Sequence, residues 1–287
     1  MTKRAAGIPR GHNTRMNSHD TSALPIGVFD SGVGGLTVLK ALRAALPQED
    51  FIYLGDTARL PYGTKSPTSI SRYACQATAK LQEQGIKLLV VACNTASAVS
   101  LEALREQMRP LPVIGVVEPG ATAAVAARPG GAHLVLATET TVRLGAYRQA
   151  ILERDAQATV RELPCELLVS LAEEGWVSGE IAETIIRRYL AQVSDYQPDS
   201  LILGCTHFPL LRDAIATVVD AATVIVDSAE TTAAVAAQML TSASLENCGG
   251  AGALRFLATD GVTRFARVGG SFLGQSLSAG DIELIDL

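Results

Sequence analysis

The chain has no apolar run long enough to cross a bilayer, no basic stripe interleaved with aromatics, no C-x-x-C pair and no lysine beyond Lys87. A membrane-spanning helix takes about 20 apolar residues, so the first absence points to a protein that does not enter a membrane. Without a basic stripe, and with a net charge of −5, nothing attracts a phosphate backbone; nucleic acid is not an expected partner. Five scattered cysteines, Cys75, Cys93, Cys165, Cys205 and Cys248, are an odd number with no framework spacing, which fits a reducing cytoplasm. The stretch from Met1 to Ser22 carries Lys3, Arg4, Arg10 and Arg15 without the apolar segment a secretory signal needs. Residues 1–23 therefore read as a disordered tail and the location as cytoplasmic. Only 18% of residues are charged while 48% are hydrophobic, a balance that excludes a disordered chain and favours a well-buried globular enzyme acting on a small molecule.

What is present is an alternation of short Val/Ile/Leu runs with longer helical patterns, the mark of βαβ units and a parallel sheet. Strands are expected over Ile26–Phe29, Phe51–Leu54, Leu88–Ala92, Val113–Val116, His133–Ala137, Leu201–Leu203 and Val224–Val226. Helices are expected over Leu36–Leu46, Thr68–Gln84, Ala96–Gln107, Ile181–Val193, Leu210–Val219 and Thr231–Leu240. At 287 residues the chain is long for one core and suited to two α/β lobes with a cleft between them.

Two distant segments rhyme. Leu88-Leu-Val-Val-Ala-Cys93-Asn94-Thr95 and Ser200-Leu-Ile-Leu-Gly-Cys205-Thr206-His207 each run a buried strand into a small residue, a cysteine, two polar residues and a helical pattern. Open α/β sheets bind ligands at the carboxyl edge of the strands, so both thiols should face such crevices, and two lobes facing each other would bring them together. A thiol just before a helix has its thiolate favoured by the helix N-terminus. Inverting an sp³ carbon takes a base on one face and an acid on the other, a task two opposed thiols suit. Cys75, Cys165 and Cys248 lack such a setting and read as packing residues.

Other polar clusters fit a small zwitterion. In Phe29-Asp30-Ser31-Gly32-Val33-Gly34-Gly35 a strand ends in an acid, a hydroxyl and a glycine-rich turn, but Thr37 stands where a dinucleotide loop needs its third glycine. Asp30 is placed either to meet a substrate ammonium or to orient a thiol. The turn Pro61-Tyr62-Gly63 offers backbone N–H groups to a carboxylate. His207, two residues past Cys205, suits proton transfer or nucleophilic attack. A zinc site from Cys93, Cys205 and His207 lacks any closely spaced ligand pair, so no metal is expected.

Taken together the segments resemble the glutamate racemases of the aspartate/glutamate racemase superfamily. The matching pieces are Phe29–Gly35, Pro61–Gly63, Ala92-Cys-Asn-Thr-Ala-Ser97, Glu118-Pro-Gly120, Thr138 to Tyr147, Glu173-Glu-Gly175, Gly204-Cys-Thr-His-Phe-Pro-Leu-Leu211 and Asp227-Ser-Ala-Glu230. The resemblance implies an α/β fold of two pseudo-symmetric, doubly wound lobes with mainly parallel sheets, the active site lying in the cleft between them. It places residues 24–116 and 228–287 in the first lobe and 117–227 in the second. It implies Cys93 and Cys205 as the two bases, Asp30 assisting Cys93, and His207 assisting Cys205 with Glu173 behind it. Asp30, Ser31, Tyr62, Gly63, Asn94, Thr95, Thr138, Thr206 and His207 would bind the substrate. Ser170 and Leu144 depart from the family pattern, where proline and a small polar residue are usual. The implied activity interconverts L- and D-glutamate by proton transfer without a cofactor, supplying D-glutamate for peptidoglycan in a bacterial cytoplasm; a homodimer is compatible with it. All five lysines lie at or before Lys87, none at a strand end matched to a Schiff-base cofactor. Three other readings stand beside it: a racemase for aspartate or another amino acid, a hydrolase using Cys205 and His207, and a catalytically silent ligand-binding or inhibitor protein on the same scaffold.

Overall fold

The computed structural model describes residues 21–287. Ten strands form two sheets, and every pairing in both is parallel. The larger sheet has the order β10-β9-β2-β1-β3-β4 and the smaller β6-β5-β7-β8. Here β1 is Ile26–Asp30, β2 Phe51–Gly55, β3 Leu88–Val91, β4 Val113–Gly115, β5 Ala132–Ala137, β6 Thr159–Pro164, β7 Ser200–Gly204, β8 Val224–Asp227, β9 Leu254–Ala258 and β10 Ile282–Leu284. The pattern 2-1-3-4 recurs as 6-5-7-8. β1 is thereby equivalent to β5 and β3 to β7, which is the pseudo-symmetry expected of the chain.

Strand side chains alternate between faces, and here both faces are covered. Ile26, Val28, Phe51, Tyr53, Leu88 and Val90 enter one core with Leu36, Leu39, Phe265 and Phe272. Their strand neighbours Phe29, Ile52, Leu54, Leu89 and Val91 enter another with Ile70, Leu81, Leu101 and Leu104. In the smaller sheet Leu134, Leu136, Leu201 and Leu203 join the first of these cores, whereas Val135, Ala137 and Ile202 pack on Ala121, Tyr147 and Ile151. One core thus runs continuously through both lobes. Burial on both faces also explains why these strands read as unbroken apolar runs.

All seven expected strands form, within a residue or so at either end. β6, β9 and β10 were not legible. β6 and β10 are edge strands carrying Arg161, Glu162 and Glu283 on exposed or half-buried positions, so their alternation is weak. The helix Val117–Ala127 was hidden by Pro119 and Gly120 near its start, and Val262–Leu273 by Gly269 and Gly270. Helices Glu139–Leu144, Ala146–Arg154 and Glu166–Glu173 are short and were also missed.

Of the tail expected over residues 1–23, positions 1–20 lie outside the described residues. Thr21 to Ala23 form a helical turn instead, held where the Lys87 ammonium, buried against Glu49, donates to the carbonyls of Ser22 and Leu245. Among the described residues no helix is long and apolar enough to cross a membrane.

Candidate active site

Strand order reverses at β1 in one sheet and at β5 in the other, and loops leaving neighbouring strands part at such points to open a crevice at the carboxyl edge. The β1 and β3 loops carry Asp30 and Cys93; the β5 and β7 loops carry Thr138 and Cys205. The two crevices merge into one cavity of ≈ 70 Å³. Eleven of the residues expected from sequence line it, namely Ser31, Tyr62, Gly63, Cys93, Asn94, Thr95, Thr138, Glu173, Cys205, Thr206 and His207. Asp30, the twelfth, lies behind the wall and is 1% exposed.

Asp30 is held by its own loop. Its Oδ2 accepts from the Gly32 N–H at 2.8 Å, and its Oδ1 has no hydrogen-bond partner. Burial pushes its carboxyl above the usual range, while the charge of His207 and the N–H groups of Gly32, Gly35 and Ser31 pull the other way. Gly35 is required beside it, because a Cβ there would sit 2.5 Å from the Asp30 Cβ.

Cys93 caps the helix Asn94–Gln107, its sulfur accepting from the Ala96 N–H at 3.4 Å and lying 3.4 Å from the Ser31 hydroxyl. These contacts favour a thiolate, yet burial and the nearby Asp30 outweigh them and push the thiol up to about 12. At neutral pH Cys93 is therefore a thiol. A negative charge at Cys205 adds to that push, so the sulfurs are near enough to sense each other's ionisation.

Cys205 has different surroundings from those its sequence promises. The helix expected over Leu210–Val219 is a 3₁₀ turn, Phe208–Leu211, followed by the short helix Arg212–Ala216. Pro209 in the first turn and the Thr217 hydroxyl turned back onto the Ala214 carbonyl break the longer pattern. The charge beside Cys205 comes instead from His207, whose Nδ1 lies 3.8 Å from the sulfur. On the ring's other side Nε2 is 3.2 Å from Glu173 Oε1, and the Arg264 guanidinium donates to Glu173 Oε2 at 2.6 Å. Burial disfavours the charged ring, but hydrogen bonds and charge from Cys205 and Glu173 overcome it and raise His207 to about 10. Glu173 is correspondingly lowered by its bond to His207 and by Arg264. Cys205 thus faces an imidazolium.

The polar walls join the lobes. The Thr95 and Thr138 hydroxyls meet at 2.8 Å, Thr141 contacts both, and Thr37 Oγ1 donates to the Thr206 carbonyl at 2.9 Å. Tyr62 lines the cavity, but its hydroxyl donates to Asp56 at 2.5 Å, so the loop's backbone is what it offers a ligand. Arg264, Glu166 and Tyr147 were missed in the sequence. Arg264 lies on an unrecognised helix, Glu166 half-buries its carboxyl in the cavity wall against the Glu139 N–H, and Tyr147 touches the site only through Asn94. Among the described residues no three His, Cys, Asp or Glu side chains are arranged to hold a metal.

The family described as Asp/Glu/Hydantoin racemase matches residues 26–236. The glutamate racemase of Geobacter metallireducens is 47% identical over 263 residues, covering 91% of this chain and 96% of that one. Among solved structures, the Francisella tularensis glutamate racemase in complex with D-glutamate superposes with a TM-score of 0.86 at 37% identity, covering 92% of this chain and 98% of that one. The Thermus thermophilus glutamate racemase in complex with beta-chloro-D-alanine gives 0.83 at 40% identity, covering 93% and 98%. The chain belongs to the Asp/Glu/hydantoin racemase family, on the branch formed by the glutamate racemases.

Proposed function

We propose that the protein interconverts L- and D-glutamate by a two-base proton transfer in which Cys93 and Cys205 serve opposite faces of the α-carbon. The observation that carries this reading is one cavity with a thiol at each lobe's strand edge, one a neutral acid and the other beside an imidazolium. A thiolate at Cys205 removes the α-proton while the Cys93 thiol delivers one from the other side; the reverse reaction exchanges the roles. The α-carbon is a weak acid. Thr95 and Thr206 stand beside the cysteines, where carboxylate charge grows, and in a cavity that excludes water such fixed dipoles stabilise it more than water does. Burial, with Asp30 behind it, holds Cys93 in its thiol form, and Glu173 with Arg264 keeps His207 charged. The residues 24–116 with 228–287 then form one lobe and 117–227 the other, and substrate enters when they part. Cytoplasmic location, a homodimer and supply of D-glutamate to peptidoglycan belong to the same proposal.

Among the described residues no lysine lines the cavity, and a Schiff-base cofactor needs one. Purified protein is expected to carry the circular-dichroism signal of L-glutamate to zero with no additive and to be insensitive to hydroxylamine. Visible absorption lost together with activity on that treatment would overturn the cofactor-free reading; turnover of aspartate in preference to glutamate would move the substrate.

Gly34 supplies a second test. A Cβ there would meet the Thr206 hydroxyl and lie 2.5 Å from the His207 ring, closer than packed atoms approach. Gly34→Ala is expected to fold but to hold the lobes apart, lowering kcat/KM by about 10²-fold, the scale of an ångström's misplacement of reacting groups. Initial rates together with a thermal melt check this: wild-type kcat/KM in the variant would show that the contact is not needed for closure.

A further inference from the structure

Asn94 follows Cys93 directly, and its side chain is polarised in one direction. Its Nδ2 donates to the Tyr147 hydroxyl at 2.8 Å, while its Oδ1 is buried without a hydrogen-bond partner. Tyr147 is wholly buried on the helix Ala146–Arg154, outside the cavity lining.

The Tyr147 hydroxyl accepts from the Asn94 Nδ2, so the donor end of the amide is taken and Oδ1 is the end left without a partner. Tyr147 belongs to the half of the chain that carries Cys205, and Asn94 to the half that carries Cys93, so the bond also spans the cleft.

A buried, unpartnered acceptor is costly, and here it belongs to a residue lining a cavity that receives an amino acid. Resting on the racemase reading above, we infer that Tyr147 is a positioning residue whose hydroxyl locks the Asn94 amide so that Oδ1 accepts from the substrate's α-ammonium. Holding that substituent still matters for inversion, because the hydrogen must change faces while the other groups stay anchored.

The test is a double-mutant cycle on Tyr147→Phe and Asn94→Ala, read as kcat and KM for glutamate and as calorimetric Kd for D-glutamate and for glutarate. Glutarate keeps both carboxylates and lacks the ammonium. Tyr147→Phe is expected to raise KM and Kd for glutamate roughly tenfold, the scale of a charge-assisted hydrogen bond, with kcat changed less and the Kd of glutarate unchanged. In the Asn94→Ala background it should add nothing. Additive losses in the cycle, or equal weakening of glutamate and glutarate, would overturn the inference. The binding arm needs no turnover, so a protein that binds D-glutamate with this pattern yet does not racemise it would refute the activity and leave the role of Tyr147 standing.

Discussion

Replacing either Cys93 or Cys205 with alanine is expected to lower glutamate racemisation by about 10³-fold or more, because a positioned acid or base contributes 10²–10⁴-fold to proton transfer and inversion needs one on each face. Neither change endangers the fold. The cysteines are 5% and 6% exposed at the cavity wall, and alanine removes a single sulfur from each. At Cys93 the Ala96 N–H also loses its acceptor, a cap worth about 1 kcal/mol. Circular-dichroism spectra should match the wild type. Rates alone do not assign the faces, since enantiomers have equal free energy in water and kcat/KM is the same in both directions for any variant. Isotope exchange does assign them. On the family resemblance Cys93 is expected to serve the D isomer and Cys205 the L isomer. In deuterium oxide Cys205→Ala should label the α-position of D-glutamate without producing L-glutamate, and Cys93→Ala should label the L isomer alone. Near wild-type racemisation by either single alanine variant would sink the two-base assignment, and the reverse labelling pattern would exchange the faces.

The two thiols also show what a linear sequence conveys. The strand-cysteine-polar rhyme at Cys93 and Cys205 was legible because buried parallel strands read as apolar runs, and it located both halves of one cavity. It implied equal activation by a following helix, which the structure does not give. At Cys93 the helix forms, but burial of the thiol, and after it the charge of Asp30, 63 positions away in the chain, set the balance towards the thiol. At Cys205 the helix gives way to a 3₁₀ turn, and His207 supplies the charge. Such reversals come from burial and from partners brought in by distant segments, quantities that no local pattern contains. Arg264 is the plainest case. It sits on a helix whose two glycines weaken the helical signal, 91 residues from the Glu173 it clamps, and nothing near it in sequence suggests a catalytic neighbourhood. Tyr62 was found for the right loop, but its hydroxyl turned out to belong to Asp56.

His207→Gln carries the second large effect, and its signature lies in pH dependence as well as in rate. Glutamine can keep the hydrogen bond to Glu173 but holds no charge beside Cys205, so a thiolate there loses its counterion. Racemisation should fall by about 10²-fold, within the range for loss of a group that assists proton transfer. The folded-state pKa of His207 is raised from the ordinary 6.5 to about 10. A raised pKa means the folded state binds its proton more tightly than the unfolded chain does, so the stabilisation is complete below about pH 6.5 and is lost as pH climbs through about 10. Between those limits the wild type should lose unfolding free energy with rising pH more steeply than His207→Gln, and the two urea-denaturation curves should converge toward pH 10. Glu173→Gln should show an intermediate slope, because it removes one of the two partners that raise the ring while Cys205 remains. Stability profiles for wild type and His207→Gln that stay parallel from pH 6.5 to 10 would mean a neutral ring in the folded protein. Cys205 would then lack a charged partner, and the asymmetry between the two thiols would have to come from the substrate itself.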